Sequence, residues 1–312
     1  MREELKNLAD IFYMKILSPS SPINIKWVHA TFNDLGIRDE NIEKIAELNA
    51  PLSREVWYYS FIKAQEEEKL DVYLNKIVEH TGFEENERLG KYLDTLGLIY
   101  KDGEFKRKFF KLVVLVSGRG TNLQAIIDAI EEKKLNARIV AVISNRKKAY
   151  ALERARKKNI PTYYLPSRKN ERREDYDRRL DEIIAPLEPD LIVLAGFMRI
   201  LSPWFVKKYR LKIINIHPAL LPSFAGLYGG NVHRAVIEYG CKVSGCTVHF
   251  VDEEVDHGPI IIQKCVEVKG DDTVETLAAR VLEKEHESLV EAIKLLSEGK
   301  IKIEGRRVIR IS

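Results

Sequence analysis

KLVVLVSGRGTNLQAIIDAIEEKK, residues 111–134, carries two periodicities in one stretch. Leu112 to Val116 is an unbroken β-branched and leucine run, the pattern of a strand buried on both faces. After a turn holding Gly118 and Gly120, apolar residues recur at helical spacing from Leu123 to Ile130. The same unit repeats downstream. RIVAVISN is followed by AYALERARKKN, PTYYLP by DYDRRLDEIIAPL, and LIVLAG by SPWFVKKY. Apolar strands alternating with amphipathic helices predict an α/β fold, a doubly wound and mostly parallel sheet with helices on both faces.

After IINIHP the pattern shifts. A short helix, HRAVIEYG, leads into CTVHFVD and GPIIIQKCVEV, close enough to be neighbouring antiparallel strands. A long amphipathic helix follows from about Thr273 to Glu298, and IKIEGRRVIRIS predicts a terminal hairpin turning at Glu304-Gly305. Residues 1–110 differ in kind. LKNLADIFYMKIL, NIEKIAELN, REVWYYSFIKAQEEEKLDVYLNKIVEH and ENERLGKYLDTLGL have helical spacing, and LIYKDGEFKRKFF predicts a hairpin turning at Asp102-Gly103. Helices followed by a small hairpin resemble a winged-helix module. The expected organisation is a smaller, mainly helical domain over 1–110 and an α/β domain over 111–312.

Composition limits the function. The chain has 312 residues, 45% of them hydrophobic, so it can bury a substantial core. No apolar run is long enough to span a bilayer and the charged start lacks a secretory signal, so a cytoplasmic protein is expected. Cys241, Cys246 and Cys265 lack zinc-ligand or C-x-x-C spacing, and no metal is expected. Charge is uneven. Lys plus Arg against Asp plus Glu is 16 to 20 over residues 1–110, leaving 35 to 27 over 111–312. An anionic ligand is therefore expected at the second part. The acidic front argues against nucleic acid and points to an interaction or dimerisation role, a homodimer included.

Three motifs can carry chemistry. SGRGTN, Ser117 to Asn122, joins the first strand to its helix, and its glycines and helix-opening amides suit a phosphate. Position 123 is Leu, so the third glycine of the dinucleotide fingerprint is missing, and no P-loop lysine follows. A phosphomonoester fits better than NAD or ATP, with an ordinary Gly-containing turn as the alternative. In AGFMRIL, residues 195–201, Met198, Ile200 and Leu201 are placed to wall a flat ring and Arg199 to meet a carboxylate; an ordinary strand end would read the same. Asn215 and His217 share one face of the fifth strand, where an amide and an imidazole can hold an oxyanion and move a proton, or simply be paired in the core. Asp256 in VDEEVDHGPIIIQ offers a carboxylate partner, but with Asp252, Glu253 and Glu254 beside it composition cannot select the acid.

SGRGTNLQAIIDA, LAGFMRILSPWFV, NIHPALLPSF, SGCTVHFVDEEVDHGPIIIQ and the Glu285-His286 pair, in that order, resemble phosphoribosylglycinamide formyltransferases. The resemblance spans residues 111 to about 300. It implies a formyltransferase-type, Rossmann-like fold and transfer of a formyl group from 10-formyltetrahydrofolate to the amine of glycinamide ribonucleotide, without a metal. It places the catalytic residues at Asn215, His217 and Asp256. Substrate-binding positions fall on Ser117, Gly118, Arg119, Gly120, Thr121, Asn122, Arg173 and Glu285, and the folate pocket on Met198, Arg199, Ile200, Leu201 and Val251. One departure from the pattern is GLYGGNVHRAV, which carries Tyr228 where a histidine is common and extra residues around Gly230 and Asn231. His233 there is expected to cap the following helix, with taking the missing imidazole's place as the alternative, and His249 to be a structural partner of the site. Formyltetrahydrofolate hydrolase is the nearest alternative enzyme, although its front domain should alternate strands and helices. Methionyl-tRNA formyltransferase shares the Asn-x-His core but carries a large tRNA-binding extension. A scaffold with a vestigial catalytic fold is the alternative from another class.

Overall fold

In the computed structural model the described residues are 109–311, the strand residues 98–101 and 104–107, and isolated positions before them. The chain divides into two compact units, Met1–Phe109 and Phe110–Ser312. In the first, β1 (Leu98–Lys101) and β2 (Glu104–Arg107) pair antiparallel with Lys101 opposite Glu104, and the expected turn at Asp102-Gly103 lies outside the described residues. The helical segments and the winged-helix resemblance of residues 1–97 fall almost wholly outside the described residues.

The second unit is a seven-stranded sheet in the order β5-β4-β3-β6-β7-β8-β9. Its strands are β3 (Phe110–Val116), β4 (Ala137–Ser144), β5 (Thr162–Tyr164), β6 (Leu191–Leu194), β7 (Ile213–His217), β8 (Val243–Phe250) and β9 (Ile260–Glu267). Pairing from β5 through β7 is parallel, and β7-β8 and β8-β9 are antiparallel. From β3 the chain moves outward through β4 to β5, then returns to place β6 on the other side. That reversal leaves a crevice between the carboxyl ends of β3 and β6, where ligands bind doubly wound sheets.

Alternate residues of β3 explain why the run is apolar throughout. Leu112, Val114 and Val116 pack with helices α1 (Thr121–Glu131) and α2 (Tyr150–Lys157) and with α6 (Val274–Ser297). Val113 and Leu115 point the other way, against α3 (Arg173–Ile184) and α4 (Pro203–Lys208). Both faces are covered, so neither can be polar. Helix α6 starts with a capping box, in which Thr273 and Thr276 bond each other's backbone amides.

Two expectations shift. The terminal hairpin, β10 (Ile301–Glu304) and β11 (Arg307–Arg310), pairs Glu304 with Arg307, so the turn is Gly305-Arg306 rather than Glu304-Gly305. Gly305 supplies the positive φ, 61°, that such two-residue turns require. Helix α5 (Gly230–Tyr239) begins three residues before His233, so Gly230 and Asn231 form its first turn instead of enlarging a loop.

Candidate active site

Strand β7 turns Ile214 and Ile216 into the core and leaves Asn215 and His217 on its opposite face. Across the antiparallel junction Asn215 lies opposite His249 on β8. The imidazole of His249 bonds the Phe250 carbonyl through Nδ1, 2.8 Å away, which puts the proton there and leaves Nε2 as an acceptor. Asn215 Nδ2 reaches that Nε2 at 3.3 Å. The bond orients the amide with its NH2 group towards His249 and Asp256.

Asp256 stands in the β8–β9 connection with φ of 55°, a left-handed conformation that Asp tolerates better than most residues. Its Oδ2 accepts from the Gly226 amide at 2.9 Å and lies 3.3 Å from His217 Nδ1, while Oδ1 is 3.5 Å from Asn215 Nδ2. The 3.8 Å from Oδ1 to His249 Nε2 is too long for a hydrogen bond. The expected amide, imidazole and carboxylate therefore converge from β7 and a loop 39 or more residues on. Burial pushes the His217 pKa down; Asp256 opposes it without reversing it, so the imidazole sits below its ordinary value. Burial pushes Asp256 up, but the His217 imidazole and the Gly226 amide outweigh it and hold the carboxyl below the usual range. His217 Nε2 is buried and has no hydrogen-bond partner.

At the turn after β3, Gly120 is left-handed (φ 73°), and a Cβ there would lie 2.5 Å from that of Ala151, so only glycine fits. The hydroxyl of Ser117 donates to Asn145 Oδ1 at 2.6 Å and accepts from the Met198 amide at 2.8 Å, and its own amide donates to Gly196. Ser117 thus ties together the ends of β3, β4 and β6, and its polar groups are already occupied. Gly118 and Arg119 are exposed beside it, and the opening amides of α1, from Thr121 on, are the ones a helix leaves unpaired. Asn122 Nδ2 donates to Glu285 Oε2 at 2.7 Å, joining α1 to α6, while its Oδ1 is buried without a partner. Burial pushes the Glu285 carboxyl up, against the bond from Asn122.

After β6, Met198 and Ile200 are exposed but Leu201 is buried against the α3–α4 face, so two of the three apolar side chains offer open surface. Arg199 is already engaged. Its guanidinium lies 3.7 Å over the Tyr176 ring and bonds Ser167, and Nε is buried without a partner. Val251 packs partly buried against the same face, and Arg173 is exposed at the start of α3. His233 does not cap α5: the cap residue is Gly229, no side chain bonds there, and His233 is buried with Nδ1 unpartnered. Two contributors were not read from the sequence, the Gly226 amide and Tyr176 beneath Arg199. Glycine in GLYGG signals a turn, but which amide faces Asp256 depends on the fold. Among the described residues no group of three His, Cys, Asp or Glu could hold a metal ion, and no helix is long and apolar enough to cross a membrane.

The Formyl transferase family model matches residues 110–293. The chain belongs to the formyl transferase family. Within that family, Escherichia coli phosphoribosylglycinamide formyltransferase is 45% identical over 192 residues, covering 62% of this chain and 89% of the relative. The trifunctional purine biosynthetic protein adenosine-3 of Gallus gallus is 45% identical over 201 residues, 64% of this chain; the chain spans only 20% of that longer relative. Among solved structures, glycinamide ribonucleotide transformylase 1 from Symbiobacterium toebii superimposes with a TM-score of 0.64 at 43% identity, covering 68% of this chain and all of that one. A formyltetrahydrofolate deformylase from Pseudomonas syringae has a similar TM-score, 0.62, at 25% identity, covering 67% and 69%. The shared fold does not separate the two activities; the identity favours the transferases.

Proposed function

We propose that this chain transfers a formyl group from 10-formyltetrahydrofolate to the amine of glycinamide ribonucleotide, in de novo purine biosynthesis and in the cytoplasm. The reading is carried by the convergence of Asn215, His217 and Asp256 within 3.5 Å contacts at the end of β7. The amine lone pair attacks the formyl carbon, and the carbonyl pair moves onto oxygen. Asn215 Nδ2 and His217 Nε2 then face a developing negative charge, the setting in which fixed donors act most strongly. The His217 imidazole, neutral before attack, takes up through water the proton that the attacking amine releases, and Asp256, 3.3 Å away, stabilises the imidazolium. As the intermediate collapses His217 gives a proton up again, and Asp256 relays it, through water, to the anilino nitrogen, whose bond to the formyl carbon breaks. The products are the formylated amine and tetrahydrofolate, with no covalent enzyme intermediate.

The substrate positions in this reading are those that the family resemblance implies. Gly118, Arg119, Gly120, Thr121 and Asn122 cradle the phosphate through backbone amides at the start of α1. Ser117 shapes that turn instead of touching the phosphate, because its hydroxyl is occupied. Glu285, held by Asn122, takes the ribose hydroxyls, and Arg173 lies at the nucleotide side. Met198 and Ile200 flank the folate ring, Leu201 supports them from the core, Val251 lines the pterin side, and Arg199 presents its outer N–H groups to the glutamate tail. Residues 1–110 are an accessory domain in this reading. The test is steady-state assay of the full chain with both substrates: formyl transfer is expected, and formate release without the nucleotide, at a rate equal to turnover, would replace the transferase by the hydrolase.

A further inference from the structure

The loop that carries Asp256 is braced from two sides. From inside, the Phe250 amide donates to the Pro259 carbonyl at 2.9 Å, and a Cβ on Gly258 would fall 1.9 Å from the Phe250 oxygen, so the loop closes tightly at its base. Asp252 folds back across it, Oδ1 accepting from the Glu254 amide at 3.1 Å and Oδ2 bonding His257 Nδ1 at 2.7 Å. From outside comes Arg306, in the turn of the terminal hairpin. Its Nη2 donates to the His257 carbonyl, and its Nη1 lies against the imidazole, 2.8 Å from Nε2 and 3.1 Å from Nδ1. The hairpin is not a loose tail, since Ile301, Ile303 and Val308 pack, partly buried, on the core. It also lies beyond residue 293, where the family match ends.

We infer that Arg306 is a positioning residue for Asp256: the terminal hairpin, anchored in the core, grips the residue next to the carboxylate and limits the conformers of its left-handed backbone. This rests on the proposed relay role of Asp256. Because Gly226 and Gly258 still hold the loop when Arg306 is gone, the loss is below the ~100-fold that an ångström of misplacement can cost. In the full chain, Arg306→Ala is expected to lower kcat about threefold to tenfold with both KM values unchanged, and Arg306→Lys, which keeps one donor, to recover part of the loss. The deciding measurement repeats Arg306→Ala on an Asp256→Asn background. A residue acting through the carboxylate has no further effect there. Equal losses on both backgrounds, or wild-type kcat in Arg306→Ala, overturn the inference. Wild-type kcat in Asp256→Asn alone would instead overturn the catalytic reading on which it stands.

Discussion

Replacing Asp256 by Asn removes a charge and leaves the shape almost untouched. Asn is as comfortable as Asp at φ 55°, so the loop should fold as before. Its amide oxygen can take the Oδ2 position, keeping the bonds from Gly226 and His217, while its NH2 group faces Asn215 across 3.5 Å. What disappears is the attraction between a carboxylate and an imidazolium 3.3 Å apart, with side chains only 11% and 4% exposed. At an effective dielectric of about 20 that attraction is roughly 5 kcal/mol, and the neutral hydrogen bond that remains returns part of it. A net loss of about 3–5 kcal/mol is about two to four orders of magnitude in kcat. The assay is kcat at saturating concentrations of both substrates, with a thermal melt to show that the variant folds. A folded Asp256→Asn protein within about threefold of wild-type kcat would sink the proposed role.

Glu285→Gln should raise the KM for glycinamide ribonucleotide about tenfold or more, the scale of a hydrogen bond to a charged group, with the folate KM unchanged; an unaltered nucleotide KM would remove Glu285 from the site. The same variant should melt higher at neutral pH without ligand, because a carboxyl whose pKa is raised on folding loses stabilisation as pH rises past its unfolded value. Gly120→Ala should destabilise the protein by roughly 2–4 kcal/mol, combining left-handed strain with clashes at 2.5 Å and 2.7 Å against the Cβ and backbone Cα of Ala151, and Ala151→Gly should not rescue it because the Cα clash remains; a neutral melt would contradict this. His233 tests the pH dependence. Burial lowers its folded pKa, so the unfolded chain protonates first: stability is full above pH 6.5 and falls below it, by up to about 1.4 kcal/mol per pH unit. The stability difference between wild type and His233→Gln should therefore narrow or change sign between pH 7.5 and 5.5, and a pH-independent difference in chemical denaturation would refute it.

Much of the α/β unit was legible because its signals are local. A strand covered on both faces must be apolar at every position, so the run from Leu112 to Val116 announces a central parallel strand before any neighbour is known. Amphipathic spacing likewise marked α6 to within a residue at each end, since its Thr273 cap is written in the sequence. Boundaries set by backbone conformation were less legible. The hairpin turn moved by one residue because register, and not the Glu-Gly pair, decides which residues reverse the chain. His233 looked like a cap only while the start of α5 was placed too late.

The residue types needed for the chemistry are fixed by one dimension: an amide and an imidazole two apart on a strand, an acid-rich loop, a glycine turn. Composition could not say which of four acids serves, and the family resemblance that names Asp256 does not explain it. The tertiary structure supplies the physical difference. Asp252 is turned outward onto His257, while a left-handed backbone and the Gly226 amide aim Asp256 at His217. Likewise only the fold occupies the Ser117 hydroxyl with Asn145 and Met198, lays Arg199 on Tyr176 and brings Arg306 to the loop of Asp256. Periodicity reports how each segment meets water, and that is local. The direction and availability of a single polar atom depend on contacts between segments far apart in sequence, which exist only once the chain has folded.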